Sequence, residues 1–338
     1  MTARSPRFLI VRLGSLGDVI HAIPAVAALR VRHPDAGIDW AVDPRYVEVL
    51  RLVSAVDRAV PVDTRGGFGA LARTVGELRR ARYDAVVDLQ GLLKSGVLAR
   101  LAGGRRTIGL PRAHLREPLA GLFYGQTLDP GPDPHVIRKS LSLMRALDVT
   151  DASIAFPLSV PATPTGEAAV KAIGSDAFVA LNPGAAWPNK RWPPERFGAL
   201  AAGLRDRVGL RSLVLWGPGE EELARRVVAA SGGAATPSPP TGLVDLFDIT
   251  RRARLVVSGD TGPLHIAAAV GTPVVALFGP TFAERNGPWA ADDVTLSRAD
   301  TCACHYERRC RRTSPCIDDI TLDEVLSAAE ARIGRGLV

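Results

Sequence analysis

The stretch from residue 255 to residue 280 constrains the fold most, because its pattern predicts a strand, a turn, a helix, a turn and a strand in that order. Its sequence is LVVSGDTGPLHIAAAVGTPVVALFGP, in which two apolar runs flank a glycine-containing turn and a small-residue helical pattern. This order predicts a βαβ unit of a parallel sheet. The turn lies at the amino end of the helix, where free N–H groups and the helix dipole favour an anion. A simple helix cap by Asp260 or Thr261 would explain the same residues.

The same alternation of strand and helix patterns recurs along the chain and predicts an α/β fold with two Rossmann-like, doubly wound domains. We expect an N-terminal domain over residues 1–155 and a linker rich in Pro, Ala, Ser and Thr over 156–176. A second domain over 177–320 and a C-terminal helix over 321–338 follow. Because such sheets bind ligands outside the carboxyl ends of their strands, a cleft between the domains is expected.

The composition indicates a globular protein whose positive charge lies in one half. Of the 338 residues, 46% are hydrophobic and 23% charged, and no apolar run is long enough to span a bilayer, so we expect a cytoplasmic protein. Residues 1–155 contain 22 Lys and Arg against 15 Asp and Glu, which accounts for the whole net charge of +7. This predicts an acidic partner for the first half. Aromatic residues make up 5% of the chain, which disfavours nucleic-acid binding.

Four glycine-containing corners follow predicted strands, at residues 14–18, 184–192, 217–222 and 259–265. None of them is the G-x-G-x-x-G fingerprint or the G-x-x-x-x-G-K-[ST] loop, which disfavours NAD enzymes and P-loop ATPases. The corners supply a carboxylate in the first half and a lysine with helix ends in the second. That combination suits transfer from a nucleotide-activated donor, with a base on one side and leaving-group stabilisation on the other.

Five motifs together resemble the lipopolysaccharide heptosyltransferases, glycosyltransferase family 9, and most closely the heptosyltransferase I type. They are GSLGDVIHAIPA (14–25), YDAVVDLQGLLKS (83–95), LREPLAGLFY (115–124), NKRWP (189–193) and SGDTGPLHIAAAVGTPVVALFGPT (258–281). The resemblance implies a GT-B architecture in which the C-terminal helix returns toward the first domain. It also implies inverting transfer of heptose from ADP-heptose to Kdo of lipid A, without a metal ion or other cofactor. The acidic glycolipid acceptor implies peripheral contact with the anionic inner-membrane surface.

The resemblance assigns roles by position. Asp18 matches the general base, although a helix cap is its structural alternative, and Lys190 matches the lysine that neutralises the donor diphosphate. The predicted donor-binding residues are Gly184, Lys190, Glu221, Asp260, Thr261, Gly262 and His265. Glu221 is assigned to the ribose, with Glu220 and Glu222 left open. Because a carboxylate repels phosphate, Asp260 is expected to bond helix N–H groups or sugar hydroxyls. The predicted acceptor-binding residues are Arg65, Lys94, Arg116, His135 and Lys139.

One departure from the family pattern leaves the donor open. Asn182 is followed by Pro-Gly-Ala-Ala-Trp, where heptosyltransferase I often has hydroxyl residues. A family 9 transferase with another nucleotide sugar or acceptor, such as a heptosyltransferase II-like enzyme, is therefore the alternative. A GT-B nucleotide-sugar epimerase is disfavoured, since it needs no acceptor site and would leave the basic first half unexplained.

The four cysteines, Cys302, Cys304, Cys310 and Cys316, lie within 15 residues with the spacing C-x-C-x5-C-x5-C. This is not a standard zinc-ribbon spacing, and a lasting disulfide is not expected in the cytoplasm. Free thiols and a structural metal site stay as alternatives, and no catalytic role is predicted.

Overall fold

Each half of the chain folds around its own six-stranded sheet, and the strands pair in parallel throughout both sheets. The computed structural model describes residues 4–334, and the chain divides into two units, Met1–Ser159 and Val160–Val338. The predicted α/β class with two Rossmann-like domains is confirmed.

The first domain alternates strands with helices. Its elements are β1 (Arg7–Val11), α1 (Leu16–Arg32), β2 (Gly37–Val42), α2 (Val47–Arg51), β3 (Arg58–Pro61), α3 (Gly67–Ala81), β4 (Ala85–Asp88), α4 (Leu93–Leu101), β5 (Arg106–Gly109), β6 (Gln126–Thr127) and α5 (Val136–Met144). The strand order is β3-β2-β1-β4-β5-β6, so β1 lies between β2 and β4. The apolar run of β1 is buried because helices cover both faces of a parallel sheet.

The second domain repeats this plan with more helices. Its elements are α6 (Pro164–Ile173), β7 (Phe178–Asn182), α7 (Pro194–Val208), β8 (Arg211–Val214), α8 (Glu221–Ala230), β9 (Ala235–Pro237), α9 (Leu243–Arg252), β10 (Leu255–Gly259), α10 (Gly262–Ala269), β11 (Val274–Phe278), α11 (Ala283–Asn286), β12 (Val294–Ser297) and α12 (Leu322–Gly334). The strand order is β12-β11-β10-β7-β8-β9, so β10 lies between β11 and β7.

Side chains of the second sheet alternate between two apolar layers. Val257 of β10 packs with residues of α7, α8 and α12, whereas Val256 packs with residues of α6, α9 and α10. This alternation follows from the period of two residues in a strand. On the α12 side, Val325 and Leu326 are buried in the layer that also holds Phe197 of α7. The predicted return of the C-terminal helix toward the first domain stays a prediction.

The structure departs from the predicted linker over residues 156–176, because α6 lies inside it. Thr163 caps this helix by accepting the N–H of Gly166 at 2.9 Å, and Pro164 occupies the first helical turn. Ala169 and Ile173 are fully buried in the layer of the second domain that contains Val256. The Pro- and Thr-rich composition indicated a linker, but Thr-Pro is here the start of a helix.

None of the helices within residues 4–334 is long and apolar enough to cross a membrane.

Ile173→Ala is expected to destabilise the protein by about 2–5 kcal/mol, because it empties a fully buried position in α6. Lys171→Ala, on the exposed face of the same helix, is the control and is expected to change stability by less than about 0.5 kcal/mol. Urea unfolding followed by circular dichroism measures both. Equal stability of the two variants would contradict a stabilising role of α6 and favour the predicted linker.

Candidate active site

Asp18 lies at the corner between β1 and α1, in the first turn of the helix. Its Oδ2 accepts the N–H of Ser15 at 2.9 Å and the Ser15 hydroxyl at 3.1 Å. Its Oδ1 forms an ion pair with Arg12. The carboxylate therefore caps the helix and is also held beside a positive charge, so the two roles considered for Asp18 are compatible.

Arg12 connects this corner to the neighbouring strand. Its guanidinium donates to the carbonyl oxygen of Leu89, which directly follows β4. Its own carbonyl accepts the indole N–H of Trp40 in β2 at 3.1 Å. The sequence analysis missed Arg12, although a basic residue closing the apolar run FLIVRL was the available signal.

The surroundings of Asp18 favour its charged form. Burial of the carboxyl group raises its pKa, but the charge of Arg12 and the hydrogen bonds from Ser15 outweigh burial and hold the pKa of Asp18 below 3.8. The side chain keeps a relative exposure of 35%. Asp18 is therefore ionised at neutral pH and reaches solvent, as a general base must.

Asp88, the last residue of β4, joins two of the motifs in the first domain. Its carboxylate is buried and accepts the hydroxyl of Ser95 at 2.8 Å and that of Tyr124 at 2.7 Å. It also accepts the N–H of Gln90 at 2.8 Å and that of Gly91 at 3.2 Å. Burial raises the pKa of Asp88. These bonds fix the start of α4 against the segment that carries Tyr124.

Lys94 and Arg116 are exposed on neighbouring segments. Lys94 is the second residue of α4, and the N–H of Leu93 before it donates to Glu117 Oε2 at 2.7 Å. Glu117 directly follows Arg116. The structure thus brings together two of the predicted acceptor-binding residues. Arg65 lies elsewhere, on the exposed turn between β3 and α3, where its N–H donates to Asp63.

His135 lies at the start of α5, and Lys139 lies within this helix. His135 caps the helix through its Nδ1, which accepts the N–H of Ile137 at 3.2 Å. Its ring also packs edge-to-face against that of His21, at 5.8 Å between centroids. Because His21 lies on α1, one turn after Asp18, this contact places His135 near the Asp18 helix. Lys139, half-buried, is one turn further along α5.

In the second domain, Asp260 is the centre of the polar contacts. Its buried carboxylate accepts Thr281 Oγ1 at 2.8 Å and Asn286 Nδ2 at 2.6 Å. It also pairs with Lys190 and lies 3.4 Å from His265 Nε2. Burial raises the pKa of Asp260, but the bond from His265 and the charge of Lys190 lower it well below 3.8.

Of the two kinds of partner expected for Asp260, helix N–H groups are not the ones that the structure shows, and sugar hydroxyls stay a prediction. Both carboxylate oxygens are engaged by side chains instead, because neighbouring parallel strands end at one edge of the sheet. Asp260 follows β10, and Thr281 follows the adjacent β11. Thr281 and Asn286 were missed by the sequence analysis, although Thr281 follows a strand end as the four chosen corners do.

Lys190 reaches Asp260 from the segment after β7. Its ammonium lies 4.7 Å from the centroid of the Trp187 ring, a cation–π distance. The lysine side chain is 15% exposed, so it is not a solvated surface lysine. An ammonium has three N–H donors, and the bond to Asp260 uses one of them. Two donors are therefore left for a ligand.

Asn182, the last residue of β7, aligns the start of α10. Its side-chain amide donates to Ser258 Oγ and to Thr261 Oγ1, both at 2.9 Å. The helix begins at Gly262, directly after Thr261. Because Asp260 precedes this helix by two residues, the N–H groups at the start of α10, to which Pro263 contributes none, lie near the Lys190–Asp260 pair and can meet an anion there.

Glu220, rather than Glu221, reaches the corner after β7. A Cβ atom on Gly184 would lie 2.1 Å from Glu220 Oε2, and that oxygen accepts the N–H of Gly217 at 3.1 Å. Glu221 is exposed on the first turn of α8, and Glu222 pairs with Arg225. The assignment of Glu221 to the ribose stays a prediction, and of the alternatives left open Glu220 is the one that lies beside Gly184. The three glutamates are adjacent in sequence, so only the turn conformation distinguishes them.

Comparison with known proteins decides the family. The model of glycosyltransferase family 9 (heptosyltransferase) matches residues 71–314. This chain belongs to glycosyltransferase family 9. Lipopolysaccharide heptosyltransferase 1 of Pseudomonas aeruginosa is 33% identical over 318 residues, covering 90% of this chain and 87% of the relative. The enzyme of the same name from Escherichia coli K12 is 33% identical over 81% of this chain and 88% of its own.

Solved structures agree with this family 9 membership. E. coli heptosyltransferase WaaC with ADP-2-deoxy-2-fluoro heptose has a TM-score of 0.73 and 27% identity, covering 96% of this chain and 99% of its own. A family 9 glycosyltransferase from Veillonella parvula has a TM-score of 0.83 at 23% identity, covering 99% of each chain, which shows the fold alone. A UDP-GlcNAc 2-epimerase from Methanocaldococcus jannaschii has a TM-score of 0.53 at 14% identity, covering 97% of this chain and 92% of its own. The epimerase alternative therefore has fold likeness only, and the predicted GT-B class is confirmed.

Asp260→Asn is expected to destabilise this family 9 chain by about 3–5 kcal/mol, because it leaves the Lys190 ammonium without its buried counter-charge. Since the pKa of Asp260 is depressed, its contribution is present above pH 3.8 and is lost as pH falls below that value. Urea unfolding at pH 7, with Glu222→Gln as the exposed control, measures the loss. A shift no larger than that of the control contradicts the central role of Asp260.

Proposed function

We propose that this protein is an inverting heptosyltransferase that transfers heptose from ADP-heptose to Kdo of the lipopolysaccharide inner core. The observation that carries the proposal is Asp18, which Arg12 and Ser15 hold ionised at the carboxyl end of β1. The identity of the substrates is supported by relatives named lipopolysaccharide heptosyltransferase 1, which match most of this chain.

In the proposed reaction, an acceptor hydroxyl attacks the anomeric carbon of heptose on the face opposite to ADP. Asp18 takes the hydroxyl proton as the new C–O bond forms, and the bond between the anomeric carbon and the diphosphate oxygen breaks. A carboxylate with a depressed pKa is a weak base, so proton transfer becomes favourable only as the attacking oxygen acquires positive charge in the transition state. Arg12 keeps the carboxylate oriented until then.

The second domain stabilises the departing diphosphate. The two N–H donors of Lys190 that Asp260 does not use bond to phosphate oxygens, and the N–H groups at the start of α10 add a helix dipole. Glu220, which lies beside Gly184, is proposed to bond the ribose hydroxyls. Because these groups supply the positive charge that the leaving group needs, no divalent cation takes part in the transfer.

The first domain is proposed to bind the acidic acceptor through Lys94, Arg116 and His135, with Lys139 and Arg65 at its edge. Kdo carries a carboxylate and lipid A carries phosphates, which match the positive charge of this half. Leu119 and Leu122, exposed at 61% and 63% beside Arg116, add an apolar surface for the lipid. The protein is therefore proposed to act in the cytoplasm, in peripheral contact with the anionic face of the inner membrane.

A second candidate is a family 9 transferase that uses another nucleotide sugar or acceptor, such as a heptosyltransferase II-like enzyme. The segment Pro-Gly-Ala-Ala-Trp after Asn182 favours it, because these residues bring no hydroxyl group to the phosphates. Thermal-shift measurements with ADP, UDP, GDP and their sugars separate the two, since a ligand that binds the native state raises the melting temperature.

Asp18→Asn is expected to lower turnover by roughly 100-fold or more while donor affinity changes little, because the amide keeps the shape but cannot accept the proton. ADP release from ADP-heptose with a soluble Kdo-bearing acceptor measures turnover, and calorimetry measures donor binding. Asp35→Asn, an exposed carboxylate of the same domain, is the control. Near-normal turnover of Asp18→Asn removes Asp18 from the mechanism.

Raising the salt concentration is expected to raise the KM of the acceptor more than that of the donor, because exposed charge pairs are screened over about 8 Å at physiological ionic strength. Lys94→Ala and Arg116→Ala should weaken acceptor use and flatten this salt response. Arg105→Ala removes the same charge from the amino end of β5 and is the control. Equal salt sensitivity of both substrates argues against an acidic acceptor on the first domain.

A further inference from the structure

All four cysteines of the chain meet in one cluster after β12. Cys302 Sγ lies 3.4 Å from Cys304 Sγ, which lies 3.3 Å from Cys310 Sγ. Cys316 completes the cluster by contacting Cys302. Cys302, Cys304 and Cys316 are buried, and Cys310 packs against them. Contacts between sulfur atoms thus join residues that are up to 14 positions apart in the sequence.

The segment that carries these cysteines has no regular secondary structure. Between Ser297 and Cys316, a stretch that the structure describes in full, the chain forms neither helix nor strand. Its buried apolar cluster consists of the cysteines themselves. Four arginines lie between Cys304 and Cys316: Arg308, Arg309, Arg311 and Arg312. Loops longer than about 12–15 residues without secondary structure are uncommon in compact domains, and a bound metal is one way to hold such a loop in one conformation.

We propose that Cys302, Cys304, Cys310 and Cys316 bind one structural Zn²⁺ ion as four thiolates. Each thiol releases its proton to solvent as its sulfur bonds the metal. With Zn–S bonds of 2.3 Å, a tetrahedral site separates its sulfurs by about 3.8 Å, so the present cluster must expand by about 0.4–0.5 Å. As the structure stands, no group of three or more His, Cys, Asp or Glu side chains in residues 4–334 is arranged to hold a metal ion, so metal binding requires this expansion of the cluster.

Backbone donors already point at the sulfurs. The N–H of Arg311 bonds to the sulfur of Cys304, and the N–H groups of Arg312 and Cys316 bond to that of Cys310. Such bonds stabilise thiolates and orient metal ligands. Four thiolates around Zn²⁺ carry a net charge of −2. Arg308 and Arg309 bring positive charge to the same loop, whereas Arg311 and Arg312 are paired with Glu307 and Asp319.

His305 lies within the loop but is engaged elsewhere. Its Nε2 lies 2.7 Å from the carbonyl oxygen of Ala299, and its ring packs on Phe282 at 4.5 Å between centroids. The ligand set is therefore four sulfurs. Because histidine is a common zinc ligand and His305 lies in the same loop, its substitution provides a matched control.

The loop supports the neighbours of the donor-binding residues. Asn189, next to Lys190, donates its side-chain amide to the carbonyl oxygen of Glu307 at 2.9 Å. The N–H of Tyr306 donates to the carbonyl oxygen of Pro280, next to Thr281, at 3.1 Å. The proposed ion thus stabilises the loop that contacts the segments next to Lys190 and Thr281, and it takes no part in bond making.

The first experiment measures metal in the full-length protein as purified without added chelator. We expect one zinc atom per chain by plasma mass spectrometry, lost in Cys304→Ser and Cys316→Ser and retained in His305→Gln. Zinc-free wild-type protein, refolded with Co²⁺, should show the intense visible absorption of a tetrathiolate cobalt site, which tests the ligands without any variant.

A thiol count decides between the remaining arrangements. We expect four thiols in denaturant with chelator and almost none accessible in the native protein. Folded protein without metal and with four thiols overturns the proposal, as does a count below four in denaturant without reductant, which indicates a disulfide. Stoichiometric binding of another metal overturns the assignment to zinc. None of these readouts depends on transferase activity.

Discussion

The buried carboxylate of Asp260 holds together side chains from several segments of the second domain. Lys190 comes from the segment after β7, Thr281 follows β11, and His265 lies on α10. A charge at this depth is stable only because each oxygen is hydrogen-bonded and a cation is adjacent. In turn, Asp260 fixes the ammonium of Lys190 at the corner where α10 begins, which is the corner proposed above to bind the diphosphate.

The first domain also stabilises an ionised carboxylate, that of Asp18, but leaves it partly exposed. Arg12 and Ser15 also hold Asp18 ionised, but its side chain keeps contact with solvent, whereas that of Asp260 is enclosed. Exposure suits the base role proposed for Asp18, and enclosure suits a positioning role for Asp260. The difference between the two carboxylates thus lies in their burial rather than in residue type.

Parallel pairing explains why such distant residues meet. The strands on either side of β1 and of β10 end at the same edge, so residues 77 positions apart, such as Arg12 and Leu89, come into contact. The cysteine cluster extends this arrangement in the second domain. It anchors a loop that has little apolar content and that carries Glu307 and Tyr306 to the back of the Lys190 and Thr281 segments.

The sequence by itself determined the alternation of strands and helices, both Rossmann-like domains, and Asp18, Lys190 and Asp260 as corner residues, because these follow from local patterns of period two and 3.6. Tertiary structure alone decided which partners those residues have. Asp260 binds side chains instead of helix N–H groups, and Glu220 rather than Glu221 reaches the corner at Gly184, because turn conformation and strand order set the direction of each side chain. The helix at 164–173 was hidden in a linker-like composition, since burial of Ile173 against β strands far away in sequence stabilises it.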